Sequence, residues 1–434
     1  MIDVIINAII LFNLVVGAIF LICYFYQFVY VIVPFVKKPK PHKEEVIHNI
    51  GILISARNEE NVIGQLIDSI NYQDYPKENI KIFVVADNCD ADDKTASLAR
   101  ERGAIVYERQ DKSKVGKGYA LDFLLTNIEK DYGLEIVDAF IVLDADNVLD
   151  KKYVRAMNQT YCDGYKATTS YRNSKNYGDN WLSAAYGLWF MREARFLNNS
   201  RWLLGTSCAV SGTGFLVERA LLQKFGGWKY FLLTEDIQFT TDCITSGEKV
   251  GYCDEAMLYD EQPTTIHQSW RQRLRWSKGF FQVWANYDKR LFKGVLNGSW
   301  SSYDMMMTVC PAFLISVLSI IFDALGILIA LMAGPTYSEK YVTMLGLTIL
   351  GAVVQAYALF FVMGLITLIS EWKHINCPNN KKIGYLFMFP FFLITYMPIA
   401  LQALFKKVEW KPIAHTKSVT VDDIIGAKDD KEDK

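Results

Sequence analysis

Charge is distributed along this chain so that two nearly uncharged stretches enclose a charged one, and that pattern constrains the fold more than any other. Val4–Val36 contains no Asp, Glu, Lys or Arg, and Met305–Phe405 carries only a few, mostly between the apolar runs 305–333, 342–370 and 384–405. A membrane-crossing helix needs about 20 apolar residues, so the first stretch is long enough to tilt or to extend beyond a bilayer. It has no basic leading segment and no small-residue cleavage site, and it far exceeds the ~7–15 residues of a signal-peptide core. It therefore reads as an uncleaved membrane helix. Residues 37–303, with charges every few positions, read as soluble protein.

Lys37, Lys38, Lys40 and Lys43 directly follow the first helix, which by the positive-inside rule places residue 1 outside a cell membrane and the soluble part in the cytosol. Three spans after a cytosolic domain would leave the tail outside, yet Lys406, Lys407, Lys411 and Lys417 argue for inside. Pro390 and Pro398 make 384–405 the segment most prone to bend or re-enter, and the side of the tail stays open. The tail 409–434 is charged, ends DDKEDK and is expected to be loosely ordered. The expected organisation is an N-terminal membrane helix (1–36), a soluble domain (37–262), an interfacial segment (263–303), a C-terminal membrane region (304–408) and the tail.

Within the soluble part, short apolar runs alternate with helical periodicity. Strands are expected at 49–55, 81–86, 104–108, 139–143 and 211–217, with helices at 59–70, 93–102, 118–128 and from the acids near 235 to 246. Such alternation predicts an α/β domain with a mostly parallel sheet and helices on both faces, its ligands beyond the carboxyl ends of the strands. Residues 271–293 interleave Trp276, Phe280, Phe281, Trp284 and Tyr287 with Arg and Lys, the pattern of an amphipathic helix lying at a membrane surface. A net charge of −1 argues against a general nucleic-acid surface, which needs a clustered basic excess. Eight scattered cysteines without CxxC spacing fit a reducing compartment and no zinc site. His267 and His374 stand alone and receive no role.

Four motifs fall at the places where such a sheet presents side chains to a cleft: Asp87 in VVADNCDADD, Asp144 and Asp146 in IVLDADN, Thr234-Glu235-Asp236 in LLTEDIQ, and Gln272, Arg275 and Trp276 in RQRLRW. Taken alone, the DAD pair could be solvated turn aspartates, and TED could be a helix start capped by Thr234. In this order, followed by membrane-length apolar runs, the four resemble the processive membrane-embedded family 2 glycosyltransferases, the cellulose, chitin and hyaluronan synthases. The resemblance covers about 51–276 and continues into the flanking membrane segments. It implies a GT-A type fold and transfer from a UDP-sugar donor to a growing polysaccharide acceptor at the lipid bilayer, with a leaning to UDP-glucose and a β-glucan. N-acetylglucosamine polymers, or single transfer to a lipid, are the alternatives. Nothing in the sequence sets an oligomeric state.

Glycosyl transfer must neutralise a departing diphosphate and deprotonate an acceptor hydroxyl. Asp144 and Asp146, two apart after a strand, can offer carboxylates to a diphosphate-bound Mg²⁺ or Mn²⁺. By the resemblance Asp146 is the direct ligand, Asp236 with Glu235 forms the base motif, and Asp87 contacts the uridine. The resemblance also carries nucleotide contacts to Arg57 and Lys117. It implies that Gln272 helps bind the nucleotide sugar, that Arg275 faces the diphosphate and that Trp276 stacks on the acceptor sugar. Gly212 and Thr213, in SGTG, would let backbone approach the acceptor chain.

Overall fold

A computed structural model describes residues 2–410, 415, 417–420 and 423. Eight strands form one sheet: β1 Ile50–Ala56, β2 Ile80–Asp87, β3 Ile105–Arg109, β4 Ala139–Asp144, β5 Val148–Leu149, β6 Ala167–Ser174, β7 Phe215–Glu218 and β8 Val250–Asp260. Their order is β3-β2-β1-β4-β7-β6-β8-β5. The expected parallel core is present as β3-β2-β1-β4, in which Ile50 pairs with Ile80 and with Ala139. Beyond β4 the sheet turns mixed, because β7 runs antiparallel to both β4 and β6, while β8 is parallel to β6. Strands buried on both faces read as continuous apolar runs, which is why β1, β2 and β4 were visible in the sequence.

Side chains alternate between two cores, as strand geometry requires. Leu53, Phe83, Val85 and Phe140 pack on one face against Leu121, Leu124 and Ile128 of the helix Lys117–Tyr132. Ile52, Ile54, Val84, Ile141 and Leu143 pack on the other against Ile63, Leu66 and Ile67 of the helix Ile63–Asn71. Most are wholly buried, each contributing roughly 1.5–3 kcal/mol of transfer free energy.

One expected strand starts late. Ser211–Gly214 is a loop, since Gly212 (φ 77°) and Gly214 (φ 66°) take backbone conformations a strand does not contain, and β7 begins only at Phe215. A side chain on Gly214 would collide with Leu258 Cδ2 at 2.0 Å. Thr234 precedes the helix Glu235–Thr245 but makes no side-chain cap hydrogen bond, and its hydroxyl is buried against Gly279. The capping role considered for it is thereby corrected.

The apolar flanks fold as helices. Ile2–Tyr24 and Tyr26–Val36 form one membrane-length rod, and Phe313–Met332 and Pro335–Ser370 are two more of membrane length. The run at 305–333 breaks at Cys310–Pro311, leaving a separate helix Trp300–Val309. The last run bends by 42° between Asn379–Leu386 and Phe389–Phe405, where Pro390 stands at the break. One buried ion pair and its hydrogen bonds tie these helices to the sheet domain. Arg201 grips Asp304 through Nε (2.7 Å) and Nη2 (2.9 Å), and Tyr26 and Tyr30 of the first rod donate to the same carboxylate.

The interfacial helix extends from Ile266 to Leu296, longer than expected at both ends. Its buried face fastens to the broken pair. Arg273 donates to Phe392 O (2.8 Å), Lys278 to Ala403 O (3.0 Å) and Trp270 Nε1 to Gln402 (2.7 Å).

Candidate active site

The parallel strands end along one edge and hand their acids to it. Asp87 is the last residue of β2 and Asp144 of β4, while Arg57 follows β1. Asn58 (φ 56°) and Asn88 (φ 53°) turn the chain away immediately afterwards. Asparagine tolerates that left-handed conformation better than most side chains. The helix Glu235–Thr245 brings the TED acids to the same edge, and the interfacial helix brings Gln272, Arg275 and Trp276. All of these, with Lys117, Asp146 and Gly212, line one cavity of about 180 Å³.

Thr213 is the exception. Its hydroxyl donates to Asn147 Oδ1 (2.6 Å) and accepts from the Asp144 N–H (2.9 Å), so it braces the DAD loop from beneath and does not line the cavity. Its expected place against the acceptor is corrected accordingly.

Opposite charges hold the cavity wall in register. Lys117 pairs with Asp144 and donates to Gly212 O (2.9 Å). Asp87 is buried against Arg109 (2.6 Å), its parallel-register partner on β3. Arg275 donates to Leu233 O (3.0 Å), just before the TED motif. Arg57 Nε and Gln272 Oε1 are buried beside the cavity and have no hydrogen-bond partner among the described residues, as expected of groups waiting for a polar ligand.

The TED carboxylates are perturbed. Burial, then the adjacent Asp236, pushes Glu235 up to about 7, while Lys117 and Arg275 oppose the rise. Burial also raises Asp236, against the N–H groups of Ile237 and Gly212. Two neighbouring carboxylates of this kind share protonation, and their titration belongs to the pair.

Asp144 and Asp146 suit a hard divalent cation by their chemistry. Among the described residues no three His, Cys, Asp or Glu side chains converge to cage a metal ion. Mg²⁺ and Mn²⁺ need no such cage, because one or two carboxylates suffice when diphosphate and water fill the remaining positions. Asp146 Oδ2 accepts from the Glu261 N–H (2.9 Å), which fixes its orientation.

Several cavity residues lay outside the motifs. Asp260 ends β8 as Asp87 ends β2, and pairs with Arg172; the rule that found the other strand-end acids applies to it too. The tail, expected to be loose, returns to the cleft in its described part. Trp410 lies 5.8 Å from the Arg57 guanidinium, His415 Nδ1 is 3.0 Å from Glu59 and its Nε2 4.0 Å from Asp146, and the Lys417 N–H meets Glu261 at 2.9 Å. Burial disfavours the charged imidazole, but Asp146, Glu59 and Glu261 outweigh it and push His415 up to about 10. No sequence spacing reports a contact between residues some 356 positions apart. The rest of the tail lies outside the described residues.

The family model for glycosyltransferase like family 2 matches residues 48–279, more than half of the chain. The chain belongs to that family. It is 26% identical over 252 residues to a probable glycosyltransferase, YdaM, of Bacillus subtilis, covering 56% of this chain and 58% of that protein. It is 24% identical over 294 residues to a beta-monoglucosyldiacylglycerol synthase of Nostoc (65% of this chain, 60% of that one). A poly-beta-1,6-N-acetyl-D-glucosamine synthase of Staphylococcus aureus is 24% identical over 252 residues (57% and 58%). The matches thus span about three fifths of these relatives' own length. A mannosyltransferase from Pyrobaculum calidifontis, solved with GDP-Man and Mn²⁺, superposes with a TM-score of 0.57 at 14% identity over 93% of this chain and 99% of its own. That likeness shows the fold, a GT-A domain flanked here by candidate membrane helices.

Proposed function

We propose that this family 2 glycosyltransferase transfers a hexosyl unit with inversion from a UDP-sugar to a hydroxyl presented at the membrane face of the cavity. Repeated transfer would build a β-linked polysaccharide that the membrane helices carry outward. The observation that carries the reading is the convergence of the DAD pair, the TED pair and the Gln272-Arg275-Trp276 set on one cavity.

In this reading Asp87 and Arg57 hold the nucleotide. Asp236 accepts the acceptor proton as the hydroxyl oxygen bonds to the anomeric carbon, and the bond from that carbon to the diphosphate oxygen breaks. Asp144 and Asp146 would hold a Mg²⁺ or Mn²⁺ ion, whose chemistry is to neutralise charge on the departing diphosphate. Arg275 and Lys117 supply fixed positive charge on the same side. Asp236→Asn keeps the shape and removes the base, so synthesis falls at least ~10²-fold, the lower end for general-base catalysis. UDP binding measured calorimetrically stays unchanged; full activity would remove Asp236 from the role.

The Gln-x-x-Arg-Trp pattern favours polymerisation, and one compact domain serves a homopolymer simply, so UDP-glucose and a β-glucan are the leading donor and product. A second reading, single transfer to a lipid, draws on the floor of the site. Trp276 is packed edge-on against Tyr186 (5.9 Å) and Phe190 (6.0 Å), and Tyr186 in turn against Phe392 (4.8 Å) of the broken pair. Such a floor suits an acceptor entering sideways from the bilayer, and a diacylglycerol-glucosylating enzyme is among the relatives. Incubating purified protein with radiolabelled UDP-sugars separates the readings: long glycosidase-sensitive chains support polymerisation, and a single labelled glycolipid overturns it.

A further inference from the structure

Arg172 belongs to none of the motifs, yet it is held on three sides at the edge of the cavity. Its Nε donates to Asp260 (2.6 Å), its Nη1 donates to Ser211 O (2.9 Å), and its guanidinium carbon lies 3.7 Å from the centre of the Phe190 ring. Such a fork, paired with a carboxylate and stacked on an aromatic face, has little freedom left. On the far side of the same peptide unit, the Gly212 N–H donates to Asp236 Oδ2 at 2.7 Å. Ser211 C=O and Gly212 N–H are the two ends of one planar group, so fixing the direction of the oxygen fixes the direction of the hydrogen.

We infer that Arg172 is a positioning residue for the base: it aims the Ser211–Gly212 peptide so that its N–H holds Asp236 Oδ2, leaving Oδ1 for the acceptor hydroxyl. The inference rests on Asp236 being the base. Gly212 explains why an aiming group is needed. At φ 77° and without a side chain, this residue sets no steric barrier to turning its preceding peptide over; Ser211 O also accepts the Thr213 N–H (2.9 Å), and Arg172 adds a side-chain hold on the same oxygen. A turned peptide would point a carbonyl at a carboxylate. Lys117 holds the next carbonyl, Gly212 O, at 2.9 Å, but that oxygen lies in a separate peptide plane and does not constrain the Ser211–Gly212 unit. Withdrawal of electron density from Ser211 O by the guanidinium also strengthens the N–H as a donor.

The test is a double-mutant cycle on the full-length membrane protein. Arg172→Lys keeps a positive charge beside Asp260 but cannot span Asp260 and Ser211 O with one ammonium. It should lower kcat by ~10-fold or more, a fraction of the general-base contribution, while the KM for UDP-sugar and the affinity for UDP stay within about threefold. In the Asp236→Asn background the same substitution should cost less than about twofold, because groups acting as one unit are non-additive. A residue that merely stabilises the fold would cost the same in both backgrounds, and that additive result overturns the inference, as does an unchanged kcat in the parent. Full activity of Asp236→Asn alone would sink the base assignment itself, a separate outcome. Where Arg172→Lys fails to fold, the neutralised pair Arg172→Gln with Asp260→Asn takes its place in the cycle with the same expectations.

Discussion

Asp236 and Glu235 show how far local environment sets the chemistry of a side chain. Both are acids in the first turn of a helix, where the macrodipole favours ionisation, yet burial raises both, and the neighbouring Asp236 raises Glu235 further. A base must be ionised to accept a proton, so a raised value means activity is lost early as pH falls. Because burial raises Asp236, the acid limb of kcat should lie above the ~4 of an ordinary carboxylate. Glu235→Gln removes the neighbouring charge and should move that limb to lower pH; a limb that stays in place would uncouple the two residues. Asp146→Asn should abolish synthesis and weaken UDP binding in Mg²⁺ or Mn²⁺, and synthesis undiminished in excess EDTA would contradict a metal-assisted reaction. These acids were legible because each follows an apolar strand or opens a helix. Arg172 and His415 were not, because their roles come from partners on distant segments: Asp260 and Phe190 for the first, Glu59 and Asp146 for the second.

At the scale of elements, apolar runs reported β1 to β4 within a few residues and the membrane helices more loosely, while β5, β6 and β8 were not expected and glycine loops and helix starts were misjudged. The loop Ser211–Gly214 looked like strand because Phe215-Leu216-Val217 follows it; positive φ at its two glycines decided otherwise. The interfacial helix was recognisable from its Arg/Trp interleaving, but not what its buried face grips. That face carries Trp276 toward the cavity and Arg273 onto the second half of the broken pair, where the guanidinium lies 4.4 Å from the Phe392 ring centre. Aromatic stacking holds a sugar ring without many directional hydrogen bonds, so a ring can slide past after each addition. Trp276→Ala should cut chain elongation severely, while UDP affinity, resting on Asp87, Asp146 and Arg275, survives. A thermal melt must accompany the assay, since losing a large packed aromatic costs up to about 3–5 kcal/mol. A folded, UDP-binding variant that still makes full-length product would take Trp276 out of the acceptor site.

At the scale of the whole molecule, the contacts at the two ends of the broken pair make a testable case for the side of the tail. The helix Pro335–Ser370 ends at the catalytic domain, where Tyr171 donates to Glu371 (2.6 Å) and Asn173 to His374 O (3.0 Å). The broken pair then starts at the same domain, with Lys381 donating to Gly178 O (3.1 Å). After it, Trp410 and His415 line the catalytic cavity. A re-entrant Asn379–Phe405 would enter and leave on one side, and both of its ends do meet this domain. The positive charges of Lys406, Lys407 and Lys417 fit a re-entrant pair, which would remove the conflict between three apolar runs and a basic tail. Cysteine accessibility checks it. Gly334→Cys, in the turn between Phe313–Met332 and Pro335–Ser370, should react on intact cells with a membrane-impermeant maleimide, above the signal of the unmodified chain. Lys407→Cys, fully exposed at the end of the broken pair, should react only after the membrane is opened. Labelling of Lys407→Cys from outside would make the broken pair a full span, and the tail could not then reach the cavity it lines.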